Sequence, residues 1–228
     1  MERTDDRALR RNLACVRERI ARARAEAGRV DPSCEIRLVA ITKSVSPAIA
    51  LALAEAGQAD LGENRADELE RKAAFFARHG ATDSVRWHYV GHLQRNKARR
   101  VARIAATIHS VDSLVLVETL ARIAGEEDAR PGIYVQVHLS GEATKHGFAK
   151  NEVAGAVERV AGLGELPLLG LMTMAPLLRD PAASRVAAQA AFATFQRLAE
   201  LARSLPAADF AGGAPQLSMG MSADFLEA

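Results

Sequence analysis

Leu9, Leu13, Val16 and Ile20 recur at helical spacing among arginines and acids. That pattern predicts an amphipathic helix ending near Gly28, ahead of Asp31-Pro32. The next apolar run, Ile36-Arg37-Leu38-Val39-Ala40-Ile41-Thr42, is β-branched and reads as a strand that stops at Lys43. Ser46-Pro47 supplies a cap and a first-turn proline for the following helix, which Gly57 closes.

The same unit then repeats. Strands are predicted at Ala59–Gly62, Trp87–Gly91, Thr107–Val111, Gly132–Val137, Leu166–Met172 and Gln216–Met219. Helices are predicted near Asn64–Ala77, Asn96–Arg103, Ser113–Ala124, Lys150–Ala161 and Ala182–Ala202, with Ser222 capping a last helix that has barely begun. Strands alternating with helices imply right-handed crossovers and a parallel sheet. About seven such units follow one another with no shift of composition to mark a domain boundary. The expected fold is a (β/α)₈ TIM-type barrel in a single domain spanning residues 1–228, with an extra N-terminal helix; a doubly wound open sheet is the lesser option.

Composition narrows the function classes. The 228 residues are 49% hydrophobic and 25% charged, and 30 basic side chains nearly balance 28 acidic ones, so charge favours no polyanionic partner. Cys15 and Cys34 lack metal-type spacing and read as reduced, ordinary thiols. No apolar run reaches membrane-spanning length and no signal core opens the chain, so a cytoplasmic protein without a membrane partner is expected. The basic stretch Gln94-Arg95-Asn96-Lys97-Ala98-Arg99-Arg100 has no aromatic platform, and reads as a solvated helix face or subunit contact rather than a nucleic-acid site. Six histidines could suggest a metal, but His88 and His92 straddle a strand end and no third ligand has suitable local spacing.

In a parallel barrel, chemistry gathers at the C-terminal ends of the strands. Lys43 lies at such an end, on the same face as Val39 and Ile41, which should point inward. An amine that loses hydration at an apolar mouth becomes a usable nucleophile, as a Schiff base requires. Position alone, however, favours a lysine that merely snorkels to water. Glu63-Asn64, His88 and His109-Ser110 make other strand ends polar, and each singly is more often a cap or turn group. Leu217-Ser218-Met219-Gly220-Met221-Ser222-Ala223-Asp224 runs from strand through glycine turn to capped helix start, which suits a phosphate but equally an ordinary N-cap.

Together these motifs resemble a known family. Val39-Ala40-Ile41-Thr42-Lys43, Gly62-Glu63-Asn64-Arg65, Trp87-His88-Tyr89-Val90-Gly91-His92-Leu93-Gln94-Arg95-Asn96-Lys97, His109-Ser110-Val111-Asp112, Gly170-Leu171-Met172-Thr173-Met174 and the Leu217–Asp224 segment are similar, in order, to the pyridoxal phosphate homeostasis proteins. The resemblance implies a barrel of the alanine racemase N-terminal kind holding pyridoxal 5′-phosphate on Lys43, with Gly220, Met221 and Ser222 at the phosphate and Asn64 in the pocket wall. It implies a carrier or regulator of vitamin B6 and amino-acid balance without an established reaction, with pyridoxal phosphate enzymes as recipients. His138 departs from the family's usual asparagine. The family also continues into a final strand bearing an Arg-Ile-Gly-like segment. Either the barrel here is open and its final strand missing, or the chain as given is cut short of it; the phosphate would then be held more weakly than in a longer form.

The rival reading is a pyridoxal phosphate enzyme such as an amino-acid racemase. Racemisation needs acid/base groups on both faces of the α-carbon. Lys43 could serve one face, but the two tyrosines, Tyr89 and Tyr134, lie far from the C-terminus and no second base is identifiable. A non-catalytic binder is therefore favoured.

Overall fold

The computed structural model describes residues 6–28, 35–139, 146–176 and 184–228. The expected stop at Asp31-Pro32, the thiol of Cys34 and the first residues of the last long helix lie outside them. The chain divides into two compact units, Met1–His88 and Tyr89–Ala228.

In the first unit, α1 (Asp6–Glu26) precedes β1 (Ala40–Ile41), α2 (Pro47–Glu55), β2 (Asp60–Glu63), α3 (Ala66–Arg78) and β3 (Arg86–Tyr89), whose last residue belongs to the second unit. The Ser46 hydroxyl accepts from the Ile49 N–H and Pro47 opens α2, the cap that the local sequence specifies. Arg17 of α1 donates to the Gly57 carbonyl at 2.7 Å, so the extra helix is tied to the turn that ends α2. β1 lies parallel to β2, with Ala40 opposite Leu61 and Ile41 opposite Gly62. Leu61, Leu69, Phe76 and Trp87 fill the space between strands and helices, the last two ring-to-edge at 5.1 Å.

The expected seven-residue first strand is reduced to two residues. β-Branched residues favour extended backbone, but a strand exists only where a partner supplies the ladder. Among the described residues β1 pairs with β2 alone. Consistent with that edge position, Ile36 and Ile41 remain 49% and 42% exposed.

The second unit continues with α4 (Arg95–Ala102), β4 (Thr107–Val111), α5 (Leu114–Glu127), β5 (Gly132–His138), β6 (Phe148–Ala149), α6 (Val153–Leu163), β7 (Leu168–Met172), α7 (Ser184–Arg203) and β8 (Gln216–Ser218). Its strands are all parallel, in the order β4-β5-β7-β8, with the short β6 added to β5. Ile108, Leu116, Leu120, Ile123, Ile133 and Leu171 are wholly buried between these strands and their helices. The basic face of α4 is spent on its neighbour: Arg99 pairs with Glu126 and Glu127 of α5, and Arg103 with Glu127. The Arg103 and Arg99 guanidiniums hold the Glu127 carboxyl down at about 2. That role fits a solvated helix face, as the sequence suggested. Among the described residues no helix is long and apolar enough to cross a membrane, and no strand follows β8.

Candidate functional site

Lys43 lies in the turn that follows the C-terminal end of β1, and Asn64 directly follows the end of the parallel strand β2. A Cβ at Gly62 would collide with Ile41 Cδ1, so the glycine makes room for the lysine's own strand. Lys43 is exposed and Asn64 half-buried. The expectation of a buried, inward Val39–Ile41–Lys43 face is not met, because the edge strand leaves Ile41 to solvent. Among the described residues no hydrogen bond or ion pair engages the Lys43 amine.

β2 and β3 carry an ionic cluster in which Asp60 and His88 are buried and Arg86 is exposed. Arg86 donates to both oxygens of Asp60 at 2.8 and 2.6 Å, and His88 Nε2 lies 2.9 Å from Asp60 Oδ1. A carboxylate only accepts, so this nitrogen carries the proton. Burial raises the Asp60 carboxyl, but the bonds and charges of Arg86 and His88 outweigh it and hold it below its usual range. Burial lowers His88, against the pull of Asp60. His88 is therefore neutral in the fold and takes up its proton more readily when unfolded, so stability present at neutral pH falls as pH drops below about 6.5. Asp60 adds a second loss at lower pH, as pH falls through its depressed value. Melting temperatures measured across this range should show the first decline in the wild type and lack it in His88→Gln. An identical decline in both would assign it to other groups.

The layer behind the strands holds groups that sequence reasoning passed over. Lys72 and Glu63 are completely buried and form an ion pair. Lys72 Nζ donates to the Thr42 carbonyl at 2.6 Å, and the Thr42 hydroxyl donates to Glu63 Oε1, also at 2.6 Å. Glu63 Oε2 has no hydrogen-bond partner among the described residues. A signal was available: Lys72 occupies a place in the stripe Leu69, Lys72, Phe76 that α3 turns inward, where a lysine demands a partner.

In the second unit the remaining candidates sit on β8 and the turn after it. Gly220 has φ +89°, and a Cβ there would meet Phe225 Cα at 3.1 Å, so only glycine fits. The helix expected after Ser222 does not form; residues 222–227 are turns. Helix-start bonds are nonetheless present: the Asp224 carboxylate accepts the Met221 N–H, the Asp224 N–H returns to the Met221 carbonyl at 3.0 Å, and the Ala228 N–H donates to the Asp224 carbonyl at 3.2 Å. Burial pushes the Asp224 carboxyl above its ordinary range, against that bond from Met221. The Met221 N–H is thus taken by Asp224. Met221 itself is exposed.

Leading into this turn is a polar seam. His109 Nδ1 hydrogen-bonds Ser218 Oγ at 2.7 Å, and its ring stacks on Tyr134 with centroids 4.7 Å apart. Tyr134 OH donates to Gln216 Oε1 at 2.8 Å. Tyr134 lies opposite Gly170, and Gly170 opposite Gln216, so this bond passes over β7 where there is no side chain. His138, the residue that departs from the family pattern, ends β5 with a buried Nε2 that has no hydrogen-bond partner among the described residues.

His92, Asp112 and His146 bring their ligand atoms within 4.8 Å of one another. Residues so far apart in the chain could not be joined by local spacing. Asp112 Oδ2 lies 3.0 Å from His92 Nδ1 and 3.6 Å from His146 Nδ1. The two rings, however, are stacked 4.0 Å apart at 17°. An ion in the plane of one ring would lie outside the plane of the other, so this arrangement is a carboxylate clasp rather than a metal centre.

Residues 5–228 match the family model for the alanine racemase N-terminal domain. A pyridoxal phosphate homeostasis protein of Mycobacterium leprae is 40% identical over 74% of this chain and 70% of its own length. Another, from Pseudomonas aeruginosa, is 37% identical over 95% of this chain and 86% of its own. PipY of Synechococcus elongatus, solved with pyridoxal phosphate bound, is 33% identical with a TM-score of 0.68, covering 92% of this chain and 91% of that one. The fold is thus that of the alanine racemase N-terminal domain, parallel strands alternating with helices in the manner of a TIM-type barrel.

Proposed function

The chain belongs to the pyridoxal phosphate homeostasis proteins, within the alanine racemase N-terminal domain family, and on that footing we propose that it binds pyridoxal 5′-phosphate as a Schiff base on Lys43. The observation that carries this reading is the Lys43 amine: exposed just past a strand's C-terminal end and unengaged among the described residues. A neutral Lys43 amine would supply the nucleophile for the cofactor's aldehyde carbon, the carbonyl oxygen being released as water. By resemblance to the family, Gly220, Met221 and Ser222 are the residues proposed to meet the phosphate.

The role that follows is storage and delivery of the cofactor within vitamin B6 homeostasis, with pyridoxal phosphate enzymes as recipients. A racemase is the weaker reading. The only two tyrosines are engaged elsewhere, Tyr134 with Gln216 and Tyr89 with the His92 carbonyl at 3.5 Å. The relatives are likewise named for homeostasis rather than for a reaction.

Titration of the purified protein with pyridoxal phosphate and with phosphate-free pyridoxal, followed by visible absorbance, tests the proposal. Pyridoxal phosphate should give a saturable imine band at lower concentration than pyridoxal, since charge-assisted bonds to phosphate contribute about 1.5–3 kcal/mol each at best. No saturable band with either aldehyde would contradict it. Incubation of alanine with the loaded protein in deuterium oxide should leave the α-proton in place; rapid exchange abolished by Lys43→Ala would establish the racemase reading instead.

A further inference from the structure

We propose that Lys72 and Glu63 form a positioning clasp that fixes Thr42, and through it the direction in which Lys43 presents its amine. The inference rests on the assignment of Lys43 as the cofactor lysine. β1 is only two residues long and pairs with β2 alone among the described residues, so its own ladder ends just before the reactive residue. Yet every polar group of Thr42 is held. Its N–H donates to the Gly62 carbonyl at 2.8 Å, and its hydroxyl to Glu63 Oε1 at 2.6 Å. Its carbonyl accepts from Lys72 Nζ at 2.6 Å and from the Val45 N–H at 3.0 Å.

Thr42 is 2% exposed, while its neighbour Lys43 is exposed. The peptide joining them carries the Thr42 carbonyl, so the ammonium of Lys72 grips the plane from which the Lys43 Cα departs. Lys72 comes from α3 and Glu63 from β2, which ties that plane to two separate elements. A buried ion pair adds little to stability compared with well-packed apolar side chains, so stability alone gives no reason for charges here. Fixing a nucleophile does, because misplacement by about 1 Å can cost a hundredfold in reactivity.

The double variant Glu63→Leu/Lys72→Met separates the two roles. It removes both charges together, and Thr42 keeps partners: its carbonyl retains the Val45 N–H, and its hydroxyl retains the Gly62 carbonyl at 3.3 Å. The experiment measures pyridoxal phosphate affinity by absorbance, thermal stability of the cofactor-free protein, and the site of borohydride-trapped label by peptide mapping. The expected result is a melting temperature near or above that of the wild type. Affinity should fall about tenfold or more, and label should spread from Lys43 to other lysines. Wild-type affinity and label in a double variant that melts like the wild type would overturn the clasp. If the double variant does not fold, Thr42→Val, which removes only the hydroxyl bonds, should weaken affinity in the same direction; an unchanged affinity would overturn the clasp equally. Wild-type label on a lysine other than Lys43 would overturn the underlying assignment instead, a failure visible before any variant is made.

Discussion

Lys72→Met alone is expected to destabilise the protein by about 3–5 kcal/mol, the cost of leaving one charge of a buried pair without its partner. Glu63 is completely buried and its Oε2 is already unpartnered, so the carboxylate would keep only the Thr42 hydroxyl. A loss of that size consumes much of the stability of an ordinary domain. Adding Glu63→Leu to Lys72→Met should restore most of it, since the pair is replaced by apolar groups of similar volume. Urea denaturation of the two variants checks both statements. Equal instability of the single and double variants would mean that the site needs its charges for folding itself.

Gly170→Ala is expected to cost about 1–3 kcal/mol or more and to loosen β8 from β7. A Cβ at Gly170 would run into the backbone of Gln216, its parallel partner, and no flexible side chain is there to yield. The same carbon would stand in the path between Tyr134 OH and Gln216 Oε1. Because β8 leads directly into the Gly220 turn, the variant should also lose preference for pyridoxal phosphate over pyridoxal. Hydrogen exchange of the 216–218 amides, measured beside that preference, checks the coupling. Protected amides in Gly170→Ala would show that β7 tolerates the side chain by shifting register.

Most of the secondary structure was legible because helices and parallel strands write different periods into the chain. The apolar stripe of α3 and the run from Leu168 to Met172 each allow one assignment. Ile36–Thr42 was overread because composition reports a preference for extended backbone, whereas the ladder depends on a partner strand. The helix after Ser222 was overread because a serine with an acid two residues on gives the same local signal for a capped helix and for the turns that residues 222–227 form. Lys43 and Gly220 are proposed from strand ends and from family motifs. The Lys72–Glu63 clasp was not legible, because its members look like ordinary charged positions until their burial is known. His92, Asp112 and His146 likewise come together only through the fold.

The central claim is that Lys43 carries the cofactor. Its most direct test is borohydride reduction of the protein saturated with pyridoxal phosphate, followed by peptide mass mapping. The pyridoxyl group should be found on the peptide containing Lys43, in near-stoichiometric amount. Label concentrated on another lysine, such as Lys97 or Lys150, with Lys43 unmodified, would contradict it.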